Sequence, residues 1–131
     1  MTDQQNEILR KAGEFFSRPE DVRSGVDLLI EVMGDDDWQF RKAAADKVLE
    51  CPDKTLLCEC LVEALGEPDN VGRRNAVIHA VMAVGSIAID PLLRSLKTKP
   101  EHRKVIVDVL GTYGEPRVLP ALIDSLSDED A

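Results

Sequence analysis

The stretch from Arg73 to Gly85 reads Arg-Arg-Asn-Ala-Val-Ile-His-Ala-Val-Met-Ala-Val-Gly, and the stretch from Arg103 to Gly114 reads Arg-Lys-Val-Ile-Val-Asp-Val-Leu-Gly-Thr-Tyr-Gly. In both, an arginine opens an apolar helical run and a glycine closes it 11 residues later, Arg74 to Gly85 and Arg103 to Gly114. A second apolar run follows each: Ile89-Asp90-Pro91-Leu92-Leu93-Arg94-Ser95-Leu96 and Val118-Leu119-Pro120-Ala121-Leu122-Ile123-Asp124-Ser125-Leu126. Self-similarity at this period is the signature of a stacked helical array.

Working outward, the matching arginines are Arg41, Arg74 and Arg103, separated by 33 and 29 residues. They divide a single 131-residue domain into a degenerate N-terminal unit (1–34), three repeats (35–66, 67–97, 98–127) and a tail, 128–131, that reads as the start of a further repeat. Each unit is predicted to be a helix pair, A then B. The A helices are expected at Asp3 to Phe16, Asp37 to Glu50, Asn70 to Val84 and Glu101 to Gly111. The B helices are expected at Glu20 to Met33, Lys54 to Leu65, Ile87 to Leu96 and Arg117 to Leu126. The linkers Gly34-Asp35-Asp36-Asp37, Gly66-Glu67-Pro68-Asp69 and Lys99-Pro100-Glu101 combine a chain breaker with an acidic residue that favours the next helix N-terminus. Counted from each arginine, positions +3, +7 and +10 are apolar: Ala44, Val48, Cys51; Val77, Val81, Val84; Ile106, Leu110, Tyr113. Positions +1 and +5 are polar: Lys42, Asp46; Asn75, His79; Lys104, Asp108. One apolar face per helix cannot be buried within a single unit, so neighbouring units must stack.

The pattern carried by Arg103, Val105 to Val109, Leu110-Gly111, Gly114, Pro116, Pro120-Ala121-Leu122-Ile123 and Leu126 resembles the HEAT-repeat family in its short, bilin-lyase-like form. The second unit matches nearly as well. The first departs, with Leu49 and Pro52 where the glycines would be, and the N-terminal unit matches only loosely. The resemblance implies an all-α, right-handed α-solenoid of about four stacked helix pairs. It is specific for fold and nearly silent on activity. It further implies that the B helices line the concave surface and that the arginines tie adjacent repeats by reaching acidic residues at neighbouring turns. The minority alternative for Arg41, Arg74 and Arg103 is an anion grip.

Composition bounds function. Hydrophobic content of 44% and charged content of 31% describe a globular chain. With three Phe, one Trp and one Tyr, the core must be aliphatic. A net charge of −9 opposes nucleic-acid binding, which needs a basic footprint. The polar N-terminus has no signal-peptide core, and no run reaches the length of a membrane span. Three cysteines without a secretion signal fit a reducing cytoplasm.

The candidate site is a ladder on the B helices. Aligned on Met33, Leu65, Leu96 and Leu126, the position two residues earlier is Glu31, Glu63, Arg94 and Asp124, and one turn before that lie Asp27, Glu59, Asp90 and Pro120. Two readings stand: a solvated helix face, or a groove that selects a protein partner through a basic segment. Trp38 likewise has two readings, a packing residue sealing the first unit against the N-terminal one, or an anchor in a partner interface. Phe15-Phe16 is expected to close the N-terminal unit.

Chemistry is poorly supplied. Cys51-x6-Cys58-x-Cys60 lacks zinc spacing, and a Cys-x-Cys on a helix points its side chains about 200° apart. The cysteines read as small buried apolar residues. His79 and His102 fall in separate units, and neither forms the His-Glu pair of HEAT-like di-iron proteins. No metal, cofactor or catalytic residue is implied. The leading function is a non-enzymatic protein-interaction scaffold. The alternative, resting on the family resemblance alone, is a bilin-lyase-like tetrapyrrole attachment protein or chaperone. The acidic tail is read either as the opening of a longer array or as an edge that meets a partner.

Overall fold

The computed structural model describes the backbone of residues 1–66 and 70–129, and the side chains of these through Asp124. Among them are eight α-helices and no strand: α1 Asp3–Phe16, α2 Val22–Val32, α3 Trp38–Lys47, α4 Lys54–Ala64, α5 Val71–Val84, α6 Ile89–Thr98, α7 Arg103–Tyr113 and α8 Leu119–Glu129. The architecture is all-α. The repeat places the odd-numbered helices at the A positions and the even-numbered ones at the B positions. The boundaries differ mainly by single 3-10 turns, Pro19–Asp21, Ser86–Ala88, Pro100–His102 and Pro116–Val118, which lead into α2, α6, α7 and α8.

Local chemistry starts and stops these helices. Thr2 caps α1 through a capping box with Gln5. Asp37, Asp53 and Asn70 accept from the backbone amides of Gln39, Leu56 and Arg73 at the starts of α3, α4 and α5. Each satisfies a donor that the helix itself leaves without a partner. The closing glycines of the repeat are required for backbone geometry. Gly85 sits at φ 86°, ψ −154° and Gly114 at φ 66°, ψ 17°, conformations that a side chain penalises. The first repeat turns through Cys51-Pro52 without positive φ, which explains why it dispenses with glycine.

The helices stack by position. α1 packs on α3 and α3 on α5, while α2 packs on α4 and α4 on α6. Each of α2, α4 and α6 also meets the odd helix that follows it. Leu29, Met33, Leu57, Leu61, Leu65, Ile89, Leu92, Ile106 and Leu110 are fully buried between them. The +3 and +7 positions are buried in all three repeats, and the +1 and +5 positions are exposed in all three. At +10, Cys51 is buried, whereas Val84 and Tyr113 are half-buried. Cys51, Cys58 and Cys60 are free and buried, as small apolar residues would be.

Phe16 packs against the core, its ring 2.7 Å from where a Cβ at Gly25 would stand, so α1 and α2 approach closely there. Phe15 lies half-buried beneath the Lys11 ammonium, 5.9 Å from the ring centroid. Trp38 corrects the packing reading: it is 61% exposed in the first turn of α3, and the buried aromatic of that helix is Phe40, two residues later. Each position along the helix turns a side chain by about 100°, so the two aromatics face opposite ways.

The linker residues Glu67-Pro68-Asp69 lie outside the described residues, as do Asp130 and Ala131. Of the tail read as the start of a further repeat, Asp128 and Glu129 continue the backbone of α8.

Candidate interaction surface on the even-numbered helices

All seven ladder residues, Asp27, Glu31, Glu59, Glu63, Asp90, Arg94 and Asp124, are exposed. Burial of their neighbours fixes this. In α2, Val26, Leu29 and Val32 turn into the core, leaving Asp27 and Glu31, four apart, on the outer side. In α4, Leu57, Cys58, Leu61, Val62 and Leu65 are buried, which leaves Glu59 and Glu63 facing out. In α6, Ile89, Leu92 and Leu96 are buried, and Asp90 and Arg94 face out.

The face is not uniformly acidic. Between α2 and α4 lies a cavity of about 220 Å³ where Asp27 and Glu63 meet Arg23 and Arg73. Between α4 and α6, a cavity of about 230 Å³ brings Glu59 and Glu63 together with Arg94 and Lys99. A larger cavity, about 380 Å³, sets Lys97, Arg103 and Arg117 around Leu96, Pro120, Ala121 and Asp124. Asp27 pairs with Arg23 at 3.7 Å, one turn away on the same helix. Asp90 is held across units by Arg117 at 3.0 Å, and Arg117 also donates to Glu115 and to the Ser86 carbonyl. Glu31, Glu59, Glu63 and Asp124 form no ion pair with any described residue. Three of these four carboxylates, Glu31, Glu59 and Glu63, therefore stand on α2 and α4, and α6 is where a cation, Arg94, first takes a ladder position.

The first member of the arginine series, Arg41, reaches backbone carbonyls. Arg41 Nη1 donates to the backbone carbonyls of Asp35 and Asp36, at 2.8 and 3.0 Å, in its own linker. Beside it, Asp35 Oδ1 accepts from the Asp37 amide, and Asp37 accepts from Gln39 and Gln5. The side chain also lies against the next unit, with Nε 3.1 Å from a Cβ position on Gly72. Arg74 and Arg103 are half-buried, each lining a cavity with residues of a neighbouring helix: Arg74 with Val105 and Asp108, Arg103 with Leu96 and Asp124.

Several cross-unit ties come from residues outside that series. Asn70 Nδ2 donates to the Gly34 carbonyl (3.0 Å), Gln5 Nε2 to Asp37 (3.2 Å), and the Tyr113 hydroxyl to the Val81 carbonyl (3.1 Å). The Gln5 bond holds the Asp37 carboxyl below its usual range, and burial pushes the Tyr113 phenol up to about 12. His79 faces Asp46 at 3.4 Å on exposed helix surface.

One regularity lies outside the apolar spacing. The residue just before each repeat arginine is Phe40, Arg73 or His102. In the last two, the flat side chain lies over the glycine of the linker one repeat earlier, Arg73 on Gly34 and His102 on Gly66. A Cβ on either glycine would fall within 2.4 Å and 2.0 Å of those groups, so the glycine admits the close approach. In the second and third repeats, the flat residue one place before the arginine is the sequence signal for it.

As for chemistry, burial raises the thiols of Cys51, Cys58 and Cys60, which lowers the thiolate fraction that a nucleophile needs. Among the described residues, no three His, Cys, Asp or Glu side chains are arranged to hold a metal ion. No single described helix is long and apolar enough to cross a membrane; Val71–Val84 and Ser86–Thr98 reach that apolarity only together, across a 111° bend. No known family pattern, no curated protein and no solved structure matches this chain.

Proposed function

We propose that the chain is a right-handed α-solenoid of HEAT type that acts as a non-enzymatic protein-interaction scaffold, and that its α2–α4 face receives a basic segment of a protein partner. The repeated register and the stacking of α1, α3, α5 and of α2, α4, α6 support the architecture. One observation carries the functional reading: Glu31, Glu59 and Glu63 are exposed on adjacent helices and free of ion pairs with described residues. Such charge, fixed on an apolar-backed surface, attracts and orients an oppositely charged segment and restricts which partner docks. The buried cysteines, with their raised thiols, offer no support for tetrapyrrole attachment.

The test is a calorimetric titration with a lysine-rich peptide. Wild type should bind with an affinity that falls as salt rises. Glu59→Lys plus Glu63→Lys should keep the helical circular dichroism, because exposed substitutions cost little, and lose the binding. Retained binding by the double variant would refute the assignment of this face.

A further inference from the structure

A second surface lies on the odd-numbered helices, with the opposite charge. Between α3 and α5 runs a cleft of about 250 Å³. Its apolar lining is made of small residues, Ala45, Gly72 and Ala76, so the helices leave a furrow there. Among the described residues, its charged lining is Arg41 and Lys42, with His79 beside them, and no described carboxylate lines it. In a chain of 25 acidic and 16 basic residues, a cleft whose described charged lining is Arg41 and Lys42 stands out.

Three of the nearby acids already have partners. Asp37 is drawn toward α1 by Gln5, Asp35 accepts from the Asp37 amide, and Asp46 is engaged by His79. At the edge of the cleft stands Trp38, 61% exposed, and in the corresponding first turn of α5 Val71 is 66% exposed. A tryptophan left in solvent retains its apolar area for burial by a partner, and such residues are enriched among binding hot spots. The cleft is smaller than most small-molecule pockets, about 300–1,000 Å³, and matches one or two side chains of a peptide.

We infer that the α3–α5 cleft docks an acidic peptide segment of another protein, whose apolar side chain covers Trp38 while its carboxylates meet Lys42 and Arg41. This site is separate from the α2–α4 face, so both can be occupied at once.

Trp38 is the chain's one tryptophan, so its emission reports the site directly. The probe is a synthetic peptide of alternating glutamate and leucine, with a lysine-leucine peptide as the control. The expected result is a saturable shift of emission to shorter wavelength with the glutamate peptide only, weakened by salt. Lys42→Glu plus Asn75→Glu, both exposed positions, should weaken binding at least about tenfold with helical content and thermal midpoint unchanged. Glu59→Lys plus Glu63→Lys should leave the response in place. An unmoved spectrum, an equal response to the lysine peptide, or undiminished binding by the Lys42/Asn75 variant would overturn the inference. So would a spectral shift produced by raising the protein concentration alone, which would make the occupant a second copy of this chain.

Discussion

The front of the molecule, α1 to α4, and the rear, α5 to α8, share one register and differ in what they do with it. In the front, the outward ladder positions are all carboxylates: Asp27, Glu31, Glu59 and Glu63. In the rear, the same positions hold Asp90, Arg94, Pro120 and Asp124, and Arg117 ties up Asp90 across the units. The turns differ as well. The front turns through Pro19 and Pro52 without positive φ, whereas the rear closes on Gly85 and Gly114 in conformations that favour glycine. Core positions recur because every unit must bury the same stripe. Surface positions answer to no such demand, so they diverge, and divergence is where partner choice resides.

The largest effect should come from reversing the front ladder. Asp27→Lys plus Glu31→Lys should reduce lysine-peptide affinity by about a hundredfold, near 2.7 kcal/mol, because each change removes an attraction and adds a repulsion. The same titration on a rear variant, Asp124→Lys, should show little change. Equal losses would erase the distinction between the halves.

Next come the turns. Gly85→Ala should cost about 1–3 kcal/mol by forcing a side chain into a glycine conformation. Pro52→Ala, at an exposed front turn, should stay within about 0.5 kcal/mol. Urea midpoints of the two variants measure the contrast.

Tyr113→Phe removes the bond to the Val81 carbonyl in the rear and should cost about 1 kcal/mol. It also carries a pH signature. The folded-state phenol is raised from 10.0 to about 12, so its contribution is complete below pH 10 and is lost as pH rises through about 12. The stability difference between wild type and Tyr113→Phe should shrink across that window. A difference that stays constant would mean that Tyr113 ionises as a free phenol does.

The smallest effect is a gain. Arg94→Glu extends the front ladder onto α6, beside Glu59 and Glu63, and should strengthen lysine-peptide binding by a few-fold.

The helices are legible in the sequence because apolar spacing and linker breakers repeat together; α1 begins and ends as its pattern indicates, from Asp3 to Phe16. The outward direction of the ladder is legible for the same reason. The pairing of the ladder is not. Arg117 reaches Asp90 from 27 residues away, and Arg73 enters the α2–α4 cavity from α5, so neither cation can be placed by register within one helix. The packing role expected of Trp38 fails because an aromatic near a helix start suits either side. Its neighbour Phe40 takes the buried direction, which leaves the tryptophan in solvent. The ties drawn by Asn70, Gln5 and Tyr113 depend on how closely units approach, a distance that periodicity does not encode.

The most direct measurement is a map of amide chemical shifts during titration with the lysine-rich peptide. The perturbed residues should centre on Asp27, Glu31, Glu59 and Glu63, with α6 and α8 nearly still. Perturbation centred on Arg94 and Arg117, or spread evenly along the even-numbered helices, would contradict it.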